Sequence, residues 1–242
     1  MAATEINYDA NRKAATYEAD ELTMEDFPQV DIPFYTAIAA RYRFSHHLFS
    51  ELLSLHKAQF VGDGIHLVMT APGQPKYLTA RPSKLDKYRF SCENWIYQMR
   101  RTLDSIVQYA SLISEHESKE HRVYKIQVSG IDDLLKSGGN NTQTFQMLFD
   151  CTTLEEADPT EFLKIINDVF NAMKHHWIHE GKTNTFCEEW PTIRTFYTKN
   201  NDPEKYGLFL HNHNCFHLMM GFQDMVRQCL SNLKSTRKVE KV

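Results

Sequence analysis

Between Ser91 and Ser114 the apolar residues Ile96, Met99, Leu103, Ile106, Ala110 and Ile113 follow one another at alternating steps of three and four. That spacing keeps one face of an α-helix apolar, so the segment is read as a helix packed along a continuous seam. The pattern recurs in Phe34, Ile38, Tyr42, Phe49 and Leu52, which predict a helix from about Pro33 to Lys57, with Asp31 as its cap and Pro33 in the first turn. Phe162, Ile166, Val169, Met173 and Trp177 predict another. It opens at Asp158-Pro159-Thr160-Glu161, where a cap, a first-position proline and a returning acid make a capping box, and it ends at Gly181. Cys215, Met219, Phe222, Val226, Cys229 and Leu233 mark a last helix from about Cys215 to Lys234.

Strand signals are few. The runs GIHLVMTA and KYLTA flank the turn residues Pro72 and Gly73 and read as a short β-hairpin, and TIRTFYT and YGLFL form an extended pair about Asn201-Asp202-Pro203. The stretch from Glu115 to Ala157 has no sustained period and contains KSGGNNTQ, so a loop is expected there. The polar first residues end in the breaker-rich MEDFPQVDIPF and are expected to be weakly ordered. The chain is therefore read as mainly α, a helical bundle with a minor β-hairpin. Residues 1–30 form the arm, 31–90 a helix plus the hairpin, and 91–242 the bundle core.

Composition narrows the classes of function. The 242 residues are 42% hydrophobic and 24% charged, with 27 basic and 31 acidic side chains for a net charge of −4. A globular protein is expected, without the ~20 uninterrupted apolar residues of a membrane span and without a general phosphate-binding surface. The five cysteines include no Cys-x-x-Cys pair, which excludes a recognisable disulfide framework or thiolate zinc site. Together with a first segment that lacks the apolar centre of a secretory signal, this points to a cytoplasmic protein. There is no glycine-rich phosphate loop, no Gly-x-Ser-x-Gly and no His-Glu-x-x-His, since Gly-Lys-Thr follows His179-Glu180.

The densest polar cluster lies at Asn171, Lys174, His175, His176, His179 and Glu180. At ~100° per residue, with the apolar stripe of this helix near ~20°, Asn171, His175 and His179 fall at ~180°, ~220° and ~260° and share one polar flank, while His176 borders the core. A late bundle helix bearing Asn171-x-x-x-His175, followed by a polar connection and a final amphipathic helix, resembles the HEPN superfamily of helical nucleotide- and RNA-associated domains. The resemblance covers about Ser91 to Leu233. It implies an RNA-associated or defence-type role, a homo-oligomer paired across the motif, and metal-independent RNA cleavage in which Asn171, Lys174 and His175 form the candidate catalytic set. Phe170 stands where the family's motif has arginine, so a non-catalytic helical module is equally implied. Arg41 and His46 on the first helix offer an alternative Arg-x4-His spacing.

Two further readings come from the residues themselves. Arg81, Lys84, Lys87, Arg89, Arg100 and Arg101 are interleaved with Tyr88, Phe90, Trp95 and Tyr97, a composition in which cations meet phosphates and rings stack on bases of RNA. Against this, Trp95 is expected near the core and Arg100 can pair with Asp104 one turn on. The alternative is a divalent metal such as Zn, held by His175 and His179 with His213 and His217, each pair read as one helical turn apart. His46 or His47 would complete the three histidines of a DinB-like bundle. Helical geometry directs His213 and His217 away from the seam of the last helix, and the no-cofactor reading is preferred.

Overall fold

A computed structural model of the protein describes residues 17, 19–28, 32–59, 84–118, 128–136, 138–139, 142–175, 190–197, 205 and 209–239. Two long helices dominate, α1 at Ile32–Gln59 and α2 at Lys84–Ser118. They run antiparallel, since Phe34 stacks on Tyr109 with ring centroids 5.1 Å apart, Phe49 on Trp95 at 5.4 Å, and His56 approaches Tyr88 at 6.5 Å. The α2 seam from Ile96 to Ile113 is buried at every expected position, and so are Ile38, Tyr42, Phe49 and Leu52 of α1.

Where a loop is expected, three short helices form: α3 at Ile131–Leu135, α4 at Gln143–Phe149 and α5 at Leu154–Ala157. Each is too short to show an amphipathic period, but its side chains fill the bundle. Ile131, Leu134, Phe145, Leu148 and Ala157 are all buried. Local caps start two of them, the Thr142 hydroxyl accepting from the Phe145 N–H at 3.2 Å and Thr153 from Glu156 at 3.3 Å.

Helix α6 runs over Phe162–His175. Asp158 does cap it, but not through the expected box. Its two carboxylate oxygens accept from the N–H groups of Phe162 and Leu163 at 2.9 and 2.7 Å, Thr160 donates to it, and Glu161 turns through a left-handed φ of 54°. Pro159 therefore belongs to the turn before the helix rather than to its first turn.

Strands β1 (Thr192–Tyr197) and β2 (Phe209–Asn214) pair antiparallel from Thr192↔Asn214 to Tyr197↔Phe209. They occupy the place of the expected extended pair, with the second strand shifted to include His211 and His213. Asn214 ends the strand and caps the last helix, α7 at Cys215–Val239, by accepting from the N–H groups of Phe216 and His217 at 2.8 and 3.3 Å. The whole α7 seam from Cys215 to Leu233 is buried. The fold is thus mainly α with a small two-stranded sheet, as the hydrophobic pattern predicts. The hairpin about Pro72 and Gly73 lies outside the described residues. No helix among those described is long and apolar enough to cross a membrane.

The arm departs from its expected weak order over residues 19–28. Leu22 and Phe27 are buried, and a 3₁₀ turn spans Met24–Asp26. Arg227 of α7 holds this segment in place. It donates to both carboxylate oxygens of Asp20 at 2.9 and 2.7 Å, to Asp26 at 2.8 Å and to the Glu21 carbonyl at 2.7 Å, while the Tyr42 hydroxyl donates to Asp20 at 2.6 Å. The bidentate guanidinium–carboxylate geometry supplies direction as well as attraction. These bonds, with that of Tyr42, hold the Asp20 carboxyl below the usual carboxylate range against the opposing effect of burial.

Candidate nucleic-acid interface

The basic segment around α2 divides once it is wound into a helix. Tyr88 and Trp95 are buried, with the Tyr88 hydroxyl donating to the Thr192 carbonyl at 3.2 Å, so neither ring is available to a base. Arg100 is also removed from the expected strip. It is only 4% exposed, forms an ion pair with Asp104, reaches Asp132 of α3 at 2.9 Å, and lies over the Phe170 ring at 5.9 Å. Burial pulls its guanidinium below its ordinary value while Asp132 acts in the opposite sense, and the side chain stays a cation consumed by two carboxylates. Arg89 is half-buried and paired with Glu93 at 3.2 Å. Arg81 and the side chain of Lys84 lie outside the described residues.

What remains outside forms two rows. Lys87, Asn94 and Arg101 are exposed and stand seven residues apart, as do Phe90 and Tyr97, which are 58% and 43% exposed. A repeat of seven drifts by only ~20° on an α-helix, so each row runs nearly along the axis, and the rows lie ~40–60° apart around it. The polar row runs along the side of α2 nearer α1, where Gln98 links Asn94 at 3.4 Å to Arg41 at 3.3 Å. The aromatic row faces α6, where Phe170 meets Tyr97 with ring centroids 6.2 Å apart. Lys87 and Arg101 make no ion pair among the described residues.

Phe170 thus takes on a role that the sequence did not signal. Standing at the motif's arginine position, it joins α6 to α2 by meeting Tyr97 and Arg100. The guanidinium lying over the Phe170 ring belongs to Arg100, and two aspartates already pair with it. Asn171 is half-buried and Lys174 exposed one turn beyond Phe170, while His175 closes the described part of α6 with its side chain outside it. His179 lies outside as well.

The other histidines separate. His213 is in β2 opposite Ile193, and His217 is in the first turn of α7, because the Asn214 cap starts the helix between them. The expected one-turn pairing of His213 with His217 therefore does not form. His46 is 2% exposed and turned toward the arm, bonded through Nδ1 to the Tyr17 hydroxyl, whereas His47 stacks on exposed Phe44. Arg41 points to α2, so the Arg41-x4-His46 spacing brings no two groups together. Among the described residues no three His, Cys, Asp or Glu side chains converge as a metal site would require. Comparison of the chain with known protein families, with curated proteins and with solved structures found no match.

Proposed function

We propose that this protein is a HEPN-like, RNA-associated helical domain that holds RNA on the outer face of α2. One observation carries the reading: two exposed rings, Phe90 and Tyr97, stand in a row beside the exposed cations Lys87 and Arg101. Exposed aromatic side chains forgo the burial that would stabilise the fold, and rings beside cations are the arrangement that binds unpaired bases and their phosphates. Lys174 is exposed on α6 one turn beyond Phe170, the ring that meets Tyr97.

The reading favours binding without cleavage. Transesterification needs a base or acid at the 2′-hydroxyl and a cation on the charged phosphorane. His175 supplies a group of the first kind, and Lys174 or Arg101 must serve as the second, since Arg100 is committed to Asp104 and Asp132. Lysine lacks the fork that grips two phosphate oxygens. The test is a titration of fluorescein-labelled RNA followed by anisotropy, alongside a gel assay of the same RNA over hours. Binding that weakens at least tenfold in Lys87→Glu/Arg101→Glu, with the RNA intact, is expected. Binding unchanged in that variant removes α2 as the interface. Cleavage that disappears in His175→Ala replaces the binding-only reading with a catalytic one on α6.

A further inference from the structure

We infer that the two rows of α2 form a site for single-stranded RNA about six nucleotides long, with bases stacked on Phe90 and Tyr97 and phosphates following Lys87 and Arg101. The inference rests on the RNA-associated reading and adds strandedness, length and register to it.

The register comes from helix geometry. Phe90 and Tyr97 are separated by two turns, ~10.5 Å at ~1.5 Å per residue. Stacked bases repeat at ~3.4 Å, so the two rings match a base and the third base beyond it. Lys87 and Arg101 are ~21 Å apart on the same scale, which corresponds to about six such steps. The rings lie between the cations along the axis, so one strand laid along α2 meets a cation, a ring, a ring and a cation in order. Asn94, exposed midway between the rings and held by Gln98, presents a polar group to the strand between the two stacking points.

The same geometry rejects duplex. In a paired helix each base face is already covered by its neighbours, so neither ring has a face to stack on, and only the phosphate contacts remain. Charge complementarity sets the rest. Lys87 and Arg101 flank the rings along α2; of the acids nearest in sequence, Glu93 is paired with Arg89 and Asp104 with Arg100, while Asp86 directly precedes Lys87 with its side chain outside the described residues. Neutralising two phosphates of a single strand gives a log–log salt slope of about −1.4, or roughly sevenfold weaker binding between 50 and 200 mM salt.

The test titrates the full chain with uridine oligomers of three, six, nine and twelve nucleotides and with a twelve-base-pair RNA duplex. Affinity is expected to rise to six nucleotides and then to level off, with the duplex at least tenfold weaker. Phe90→Leu/Tyr97→Leu keeps apolar surface and removes the rings, and each ring is expected to be worth between about fivefold and a hundredfold in Kd. Both side chains are exposed, but Tyr97 also meets Phe170, so folding of the variant is checked by an unchanged circular dichroism spectrum and a melting transition well above the assay temperature. Equal affinity for duplex and single strand, or no loss in the leucine variant, overturns this inference and leaves RNA association standing. Absence of binding to every RNA overturns both. If, in that case, the leucine variant also converts a dimer into a monomer by sedimentation, the seven-residue rows are a seam between two copies of this chain.

Discussion

Arg100 and Arg101 are neighbours in sequence and opposites in structure, so replacing each by alanine separates stability from binding. The Arg100 side chain is 4% exposed and that of its partner Asp104 is 12% exposed, and the Asp104 carboxylate also accepts from the Ile131 N–H at 3.0 Å. Removing the guanidinium leaves that carboxylate buried with one backbone donor, a change that costs about 3–5 kcal/mol. Loss of the contact with Phe170 adds about 0.5–2 kcal/mol, while the bond to the half-exposed Asp132 adds little after solvent screening. With a urea m-value of about 3 kcal/mol per molar, the midpoint should fall by about 1–2 M. Arg101 is exposed and has no such partner, so Arg101→Ala should change stability by less than about 0.5 kcal/mol and weaken RNA binding instead. Urea unfolding followed by circular dichroism, with the RNA titration on the same samples, reads both. An Arg100→Ala midpoint within 0.3 M (about 1 kcal/mol) of the parent would refute the buried-pair reasoning. Equal stability losses in the two variants would refute the division of the strip into buried and exposed cations.

Gly130→Ala should destabilise the protein by about 1–3 kcal/mol, because a Cβ there collides with Asp104 Oδ1 and comes within 3.0 Å of its Cγ; a stability equal to the parent's in urea would show that Asp104 yields freely. His46 gives a pH dependence of definite sign. Burial pulls its imidazole down to about 4, with Asp20 opposing and Arg227 assisting, against about 6.5 in the unfolded chain. As pH falls from about 6.5 to 4 the unfolded chain takes up a proton that folded His46 refuses, so stability present above that window declines by an amount on the order of 3 kcal/mol. His46→Gln should flatten this part of the stability–pH curve, and a curve that keeps its slope would place the titrating group elsewhere.

The elements built on long periodic seams were legible because burying a stripe along several turns demands an apolar residue every three or four positions. The seam of α2, the seam of α7 and the burial of Phe162, Ile166 and Val169 in α6 follow from that rule alone. The short helices α3 to α5 were not legible, since four to seven residues hold too few repeats to distinguish a helix from a loop, and only the bundle they fill makes them stable. Asp158 was legible as a cap but not as one that reaches across a left-handed Glu161.

For the candidate interface the sequence supplied the mixture of basic and aromatic residues but not the side of the helix on which each falls in the assembled bundle. Helical spacing places Trp95 near the core and Arg100 with Asp104, but the burial of Tyr88 and the bond from Arg100 to Asp132, a residue of another element, depend on what packs against α2. The bond between Asp20 and Arg227 joins residues 207 positions apart, and no local pattern encodes it. The sequence by itself determined which long segments are helices and where their apolar faces lie, because those are consequences of periodicity within a few turns. Which charges are neutralised, which rings stay exposed and where the arm docks were decided only by tertiary structure, because each depends on a partner brought close by folding.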